Sequence, residues 1–552
     1  MNDLKRWAAL ALAAGLCVSL LAGCGERASA AEGALSVCVG AAPESLDPIY
    51  AETVGDQTIL EHLYENLMRV TTDVSGNATV TNGMAKSVNQ EKNHDGTVTY
   101  TFKLRSAKWS DGRSVKAEDF VYAWQRLVNP ACASPYASLL SVVAGYDAVR
   151  AGGDLSELQV SAKNDSTLVV VLTGTYDWFL SEVCTAPATM PLRKDVVKKL
   201  KEAAGETEKW WSDPTALVTN GAYLAAAYDP AATLTAQASE RYYGSHIGPA
   251  DLTFYFADTA EEAQELYEAK TVDAQWPLTA ERMAELAENE NWRAAPELSV
   301  YTVLFNCRAE VFAEPLVREA LNLVIDRNAL AAAAGGTASP AGGLVPPGVP
   351  GAEERDFRTD GGALLDNDPA HYEETCAAAK ELLGNAGYDS GANLGQLEYL
   401  YVDEGGAAAV AQTIAKTWYD TLRVQVTPKA VTEEELWIAL RGGTYTLAAI
   451  PFRAGGNDAE CFLMPWMSKN EDNVLGYSNS AYDTLMNIIA SAQDGTARMG
   501  CLHDAEDLLL NDYVLAPLYT TGTDWDLRDS LTDACRDARG WFCFGGVIPR
   551  VS

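Results

Sequence analysis

Strand-like and helix-like stretches alternate along most of this chain, which restricts it to a layered α/β architecture. Residues 35–39 (LSVCV) have a strand pattern, and 58–67 (TILEHLYENL) carry apolar residues at 59, 60, 63, 64 and 67, a helical stripe. Residues 97–104 (TVTYTFKL) alternate as a strand, with its expected partner just before the turn His94-Asp95-Gly96. Residues 116–128 form an amphipathic helix stopped by Pro130, and 167–172 (TLVVVL) a further strand. The pattern continues with strands at 252–256, 300–306, 397–402, 424–426 and 445–450. Helices are expected at 259–269, 279–288, 315–334, 368–387, 407–422 and 432–441, and a Gly- and Pro-rich loop at 335–351. There is no internal repeat. The 552 residues suffice for about three domains.

One apolar run stands apart. The sixteen uncharged residues 7–22 follow Lys5 and Arg6 and end in Leu21-Ala22-Gly23-Cys24. Basic start, apolar middle and small residues at the cut make a secretory signal, and the run is short of the ~20 residues a spanning helix needs. Cys24 directly after Leu-Ala-Gly resembles the lipobox of bacterial lipoproteins. That resemblance implies that Cys24 is lipidated and becomes the first residue of the mature chain; without it the segment is an ordinary cleaved signal. Residues 24–34, small and polar after Cys24, form an expected flexible leash.

The formal charge of −35 argues against a nucleic-acid partner, whose phosphates demand a basic face, and against broad contact with anionic lipid. Of the 11 cysteines, an odd number remains once Cys17 and Cys24 are set aside, so not all can pair within the chain. Most are expected to be buried small hydrophobes; Cys535 and Cys543 are the nearest pair and close enough in sequence to bridge. The five His residues are scattered without a His-x-x-x-His spacing, so neither a metal nor another cofactor is expected.

Several motifs in order resemble the extracellular solute-binding proteins that include the bacterial oligopeptide- and dipeptide-binding proteins. They begin with Glu44-Ser45-Leu46-Asp47-Pro48. The strongest signature is 99–105 (TYTFKLR), 108–112 (KWSDG) and 117–124 (AEDFVYAW), followed by 133–138 (ASPYAS). Then come 220–223 (NGAY), Phe305-Asn306, 317–321 (VREAL) with 325–327 (IDR), and 476–479 (GYSN) with Tyr482-Asp483. Read from the residues alone, Trp109, Phe120, Tyr122 and Trp124 are core-filling side chains, not ligand contacts.

The resemblance implies a two-lobed, hinged α/β solute-binding fold with an additional inserted domain. Residues 35–64, 195–300 and 510–552 would build lobe I, 65–194 the inserted domain II, and 301–509 lobe III. Ligand is enclosed when the lobes close, and the protein delivers it to the permease subunits of an ABC importer. It would do so as a monomer, anchored through Cys24 to the outer face of the cytoplasmic membrane, facing the periplasm if the host has an outer membrane.

The resemblance also implies the binding residues. The family's peptide binders hold an extended peptide by main-chain hydrogen bonds, as an added strand. One edge would be Glu52, Thr53 and Val54, with Tyr136 lining the cleft. The other edge would be Phe452, Arg453 and Ala454. There the family's pattern places an Asp that neutralises the peptide's α-amine, and this chain has Gly455. Asp458 or Glu460 is the expected replacement carboxylate. The expected cargo is an oligopeptide; the missing Asp leaves a modified or cyclic peptide, a peptide-like metabolite or an oligosaccharide as the alternative. A surface hydrolase is a third reading, but the chain has no Gly-x-Ser-x-Gly, His-Glu-x-x-His or phosphate loop.

Overall fold

Three sheets organise the protein. The computed structural model describes residues 31–549, apart from 73–77, 206–208, 245–247, 288–294, 353–354, 389, 455, 493–494, 524, 529–530, 533, 537–539 and 545–547. The expected signal and Cys24 lie outside the described residues, as does Gly455. Residues 31–34, expected as the end of the leash, already belong to the strand Ala31–Cys38.

The first sheet runs in the order Asp526–Leu527, Ala274–Gln275, Ala31–Cys38, Pro249–Tyr255, Thr233–Ala238, Tyr223–Asp229. Ala31–Cys38 is parallel to its neighbours Pro249–Tyr255 and Ala274–Gln275. The second sheet runs Ser339–Pro340, Leu515–Thr523, Ala295–Phe305, Leu447–Arg453, Gln396–Tyr401, Gln425–Ala430. The third is a four-stranded antiparallel sheet, Ala85–Lys92, Val98–Leu104, Thr167–Leu172, Val160–Asn164. Chain order and sheet order therefore differ: the first sheet takes strands from both ends of the chain. No helix among the described residues is long and apolar enough to cross a membrane.

The boundaries expected at 300 and 510 fall inside the strand Ala295–Phe305 and the helix Gly495–Asn511. Ala295–Phe305 pairs along its length with Leu447–Arg453 and Leu515–Thr523, so both ends of the 301–509 segment continue into the second sheet. Only the chain from Asp526 onward returns to the first. The cause is length: the eleven-residue strand Ala295–Phe305 presents a full antiparallel edge that Leu515–Thr523 completes.

Two helices also depart from their stripes. The helix expected at 58–67 is Val54–Leu63. It starts earlier because Thr53 Oγ1 accepts the Asp56 N–H. It stops earlier because Asn220 grips both backbone groups of Glu65: Oδ1 accepts its N–H at 3.1 Å and Nδ2 donates to its carbonyl at 2.9 Å. The helix expected at 315–334 is two helices, Pro315–Leu323 and Arg327–Ala334. Asp326 interrupts it by taking an N-cap conformation and accepting the Ala329 N–H. The apolar period survives the break because both pieces pack onto one core.

The motif residues are mostly structural. Trp109 Nε1 donates to Asp119 Oδ2 at 3.0 Å, and the same oxygen accepts the Lys116 N–H that opens the helix Ala117–Val128. Trp124 Nε1 donates to the Thr189 carbonyl. Asp47, fully buried, accepts from Arg126 Nη1 at 2.6 Å, from Arg126 Nη2, and from Trp210 Nε1 at 2.7 Å. Removing one partner of such a pair strands a buried charge, so Asp47→Ala should cost about 3–5 kcal/mol in chemical denaturation, and replacing Arg126 by Met as well should recover part of it. Equal stability of Asp47→Ala and wild type would contradict this.

Candidate functional site

A cavity of about 130 Å³ lies where the segment after Asp47-Pro48 meets the end of the second sheet. Ala51, Glu52, Val54 and Gln57 line one wall, with Tyr136 and Leu139 from the inserted segment and Ala186, Pro187 and Ala188 beside them. Glu297, Leu298, Arg453 and Ala454 line the facing wall. Arg536, Gly540 and Trp541 of the C-terminal tail complete it.

The first wall is positioned backbone first. The Ala51 carbonyl accepts from Tyr136 Oη at 3.0 Å and from Gln57 Nε2 at 2.9 Å, and Gln57 Nε2 also reaches Tyr136 Oη. Ser134 Oγ donates to the Ile49 carbonyl at 2.7 Å. The loop 44–45 is tied down by Asp56, whose carboxylate accepts the Glu44 and Ser45 N–H groups at 3.1 Å each. Burial pushes the Asp56 carboxyl up to about 6, against the lowering effect of these bonds. Burial also raises the Glu52 carboxyl, helped by the nearby Glu433 and Glu44.

The tail is held by His62. Its Nδ1 donates to the Thr58 carbonyl at 2.7 Å, so its Nε2 is free to accept the Phe544 N–H at 2.9 Å. Phe542 N–H donates to Thr58 Oγ1. Trp525, Phe542 and Phe544 stack together, and Phe544 stacks on His62.

Of the residues expected from the sequence, Glu52, Val54, Tyr136, Arg453 and Ala454 line the cavity. Thr53, Phe452, Asp458 and Glu460 are not among its lining residues. Thr53 is the cap of the helix Val54–Leu63. Phe452 is turned into the second lobe, with its ring centroid 5.0 Å from Trp466 and 6.0 Å from Phe462. Asp458 and Glu460, the expected replacement carboxylates, are both bonded to Arg498. Its Nη2 donates to Asp458 Oδ1 at 2.8 Å and to Glu460 Oε2 at 2.7 Å. Glu460 also accepts from Trp178 Nε1 at 3.0 Å. Burial raises the Glu460 carboxyl and Arg498 opposes that rise. Gly456 is required for a different reason than an open pocket: a Cβ there would lie 2.7 Å from Glu182 Cγ.

These bonds also join the two sides of the protein. Trp178 meets Glu460, Glu182 Oε2 accepts the Asn457 N–H at 2.7 Å, and Tyr146 Oη donates to Glu471 Oε1 at 2.6 Å. Arg536, Trp541 and the 186–188 turn carry no motif, and nothing local in the sequence marks them as cavity-lining. Cys535 and Cys543 are register partners on a two-stranded tail ladder. Among the described residues no group of three or more His, Cys, Asp or Glu could hold a metal ion.

The family model of the bacterial extracellular solute-binding proteins, family 5, matches residues 79–474. The chain belongs to that family. Among family members, it is 31% identical over 432 residues to the probable deoxycholate-binding periplasmic protein YgiS of Escherichia coli, with 77% of each chain covered. It is 31% identical over 497 residues to the periplasmic oligopeptide-binding protein OppA of Haemophilus influenzae, covering 87% of this chain and 86% of that one. The crystal structure of Haemophilus influenzae OppA in complex with the peptide RPPGFSPFR superposes with a TM-score of 0.74 at 26% identity, covering 95% of this chain and all of the other. The fold is accordingly the two-lobed solute-binding fold, with the cavity between family elements from both sides.

Two outcomes check this site. Arg498→Met should destabilise the protein by about 3 kcal/mol or more, because it strands two buried carboxylates; a melting temperature equal to wild type would refute the pairing. Asp56 binds its proton more tightly folded, at about 6, than unfolded, at 3.8. Its contribution to stability therefore grows as the pH falls from 7 to 4. The stability of wild type relative to Asp56→Asn should rise by up to about 3 kcal/mol over that range. A difference that stays constant with pH would show that the shift is absent.

Proposed function

We propose that this protein captures peptides outside the cytoplasm and hands them to an ABC importer, binding without turnover. The observation that carries this reading is the cavity, walled on one side by Glu52, Val54 and Tyr136 and on the other by Leu298, Arg453 and Ala454. A ligand there touches both lobes, so its binding energy favours the closed state over the open one. The cavity holds a group about the size of a benzene ring, so a longer ligand enters only when the lobes part. The peptide-binding names of its relatives support the cargo.

In the same reading, residues 35–64, 195 to about 294 and 526–549 form lobe I, 65–194 the inserted domain, and about 295–523 the other lobe. The lipid on Cys24 is the membrane contact, at the outer face of the cytoplasmic membrane, and the protein acts as a monomer. A second cargo is favoured by one feature. Arg453 beside apolar Val54, Leu139 and Leu298 suits an amphipathic carboxylate without an amine, and one relative is named for deoxycholate.

Ligand that binds only the folded state raises stability by about 2.7 kcal/mol at a hundredfold excess over its Kd. A thermal-shift screen with a mixed pool of two- to five-residue peptides should raise the melting temperature, and deoxycholate should not. A shift with deoxycholate alone would replace the peptide reading by the second. Cys24→Ala should release the protein from the membrane fraction; an unchanged membrane fraction would remove the lipid anchor.

A further inference from the structure

The C-terminal tail lies along the helix Val54–Leu63, and the two repeats match. Gly540 sits over the first residue of the helix: a Cβ there would lie 3.4 Å from Val54 Cγ2. Phe542 N–H donates to Thr58 Oγ1 at 3.1 Å, and Phe544 N–H donates to His62 Nε2 at 2.9 Å. Two residues of extended chain advance about 6.7 Å and four residues of helix about 6 Å, so every second tail residue meets every fourth helix residue. The cavity lies at the start of this run. Val54, Gly540 and Trp541 line it, and so does Arg536, the register partner of Phe542 on the tail ladder. The third wall of the cavity is therefore held by rungs that lie outside it, and His62 forms the last of them.

That last rung works in one protonation state. His62 is 2% exposed and lies among rings: Phe544 stacks on it with centroids 5.6 Å apart, and Phe254 and Tyr223 meet it edge-on at 5.5 and 5.9 Å. Nδ1 donates to the Thr58 carbonyl, so Nε2 accepts from Phe544 only while the imidazole is neutral. A proton on Nε2 sets two donors against each other and places a charge among aromatic rings. The titratable groups on the packed elements are the Tyr223 phenol, pushed up by burial, and Cys543 and Arg536 on the tail. On the strand Pro249–Tyr255, Asp251 and Tyr255 alternate away from Phe254. On the helix itself Glu61 is adjacent and so on another face, and Asp56 is held by the Glu44 and Ser45 N–H groups. Just past the helix, Glu65 accepts from Tyr242 Oη and pairs with Arg69.

We propose that His62 is a positioning residue of the binding cavity and that capture requires its neutral form, so that ligand is held at neutral pH and released in acid. This rests on the peptide reading above and adds a condition to it. A histidine detached from the rung takes up a proton at about pH 6.5. Through that one proton, each pH unit below this favours the detached tail by up to about tenfold. Phe544 stacks with Trp525 and Phe542, so its detachment loosens the ladder that carries Arg536, Gly540 and Trp541 to the cavity. Apparent affinity then falls with the fraction of protein whose tail is in place.

Two measurements on the full protein test this, one of them without ligand. Hydrogen exchange, corrected for the intrinsic effect of pH, should show protection of the Phe544 amide falling about tenfold or more from pH 7.5 to pH 5, while amides of the strand Thr167–Leu172 keep theirs. Isothermal titration calorimetry with the same two- to five-residue pool should show affinity falling about fivefold or more over that range. Burial also raises the Glu52 and Asp56 carboxyls beside the cavity, so the comparison is with His62→Gln, whose amide oxygen accepts from Phe544 without taking up a proton. In that variant the protection should stay constant with pH, and the fall in affinity should shrink about threefold or more. His62→Leu, which offers no acceptor, should lose the protection at pH 7.5 as well. Should the Gln variant not fold, the wild-type exchange profile decides. Equal protection of the Phe544 amide at both pH values in wild type, or affinity profiles of wild type and His62→Gln that coincide, would overturn the switch and leave peptide capture standing. Failure of the whole pool to bind wild type at pH 7.5 would overturn peptide capture, and the role of His62 in it.

Discussion

One buried carboxylate sets the geometry on which the cleft depends. Asp47 receives three hydrogen bonds, two from Arg126 of the inserted segment and one from Trp210 of the segment that follows it. Taking this pair out of water costs several kcal/mol per ion, and only close, fully hydrogen-bonded geometry offsets that. The arrangement therefore tolerates little displacement. It fixes the chain just before residues 49–57, whose carbonyls are then taken up by Ser134, Tyr136 and Gln57. The position of Glu52 at the cavity follows from bonds that do not involve Glu52.

The opposite wall is organised by a second buried charge cluster. Arg498 holds Asp458 and Glu460 together behind the strand Leu447–Arg453, and Glu460 accepts from Trp178 across the lobes. The two carboxylates nearest in sequence to Gly455 are thereby held within the protein by one guanidinium. Arg453 and Glu297 are the charged residues on this wall of the cavity, and Glu297 accepts from Thr521 Oγ1. The buried carboxylates near the cleft are thus paired to build the lobe, while Glu52 and Arg453 line the cavity.

The local rules did well where the signal was local. The strand at 167–172 and the helix at 407–422 lie at their expected bounds, and the hairpin across His94-Asp95-Gly96 is present with Asn93 N–H bonded to the Thr97 carbonyl. They failed where a distant residue intervened. Asn220 ends the first helix from 155 residues away, and Asp326 breaks a helix whose apolar stripe runs straight through it. The cavity wall was legible only in its local pieces. Glu52, Val54, Tyr136, Arg453 and Ala454, read from motif positions, line the cavity, while Thr53 caps a helix and Phe452 packs inward. Arg536, Trp541 and the turn 186–188 were invisible, since a cavity wall assembled from remote segments leaves no spacing to read.

By itself, the sequence determined the alternating α/β layers, the signal-like start and the order of motifs that marks the family, because each is written in neighbouring residues. Only the tertiary structure decided which charges are spent on folding and which line the cavity. Asp458, Glu460, Glu52 and Arg453 are all merely charged residues near a glycine or a turn when read along the chain. Their roles differ because a charge is defined by what surrounds it. Arg498, thirty-eight residues beyond Glu460, is what turns two candidate anchors into framework.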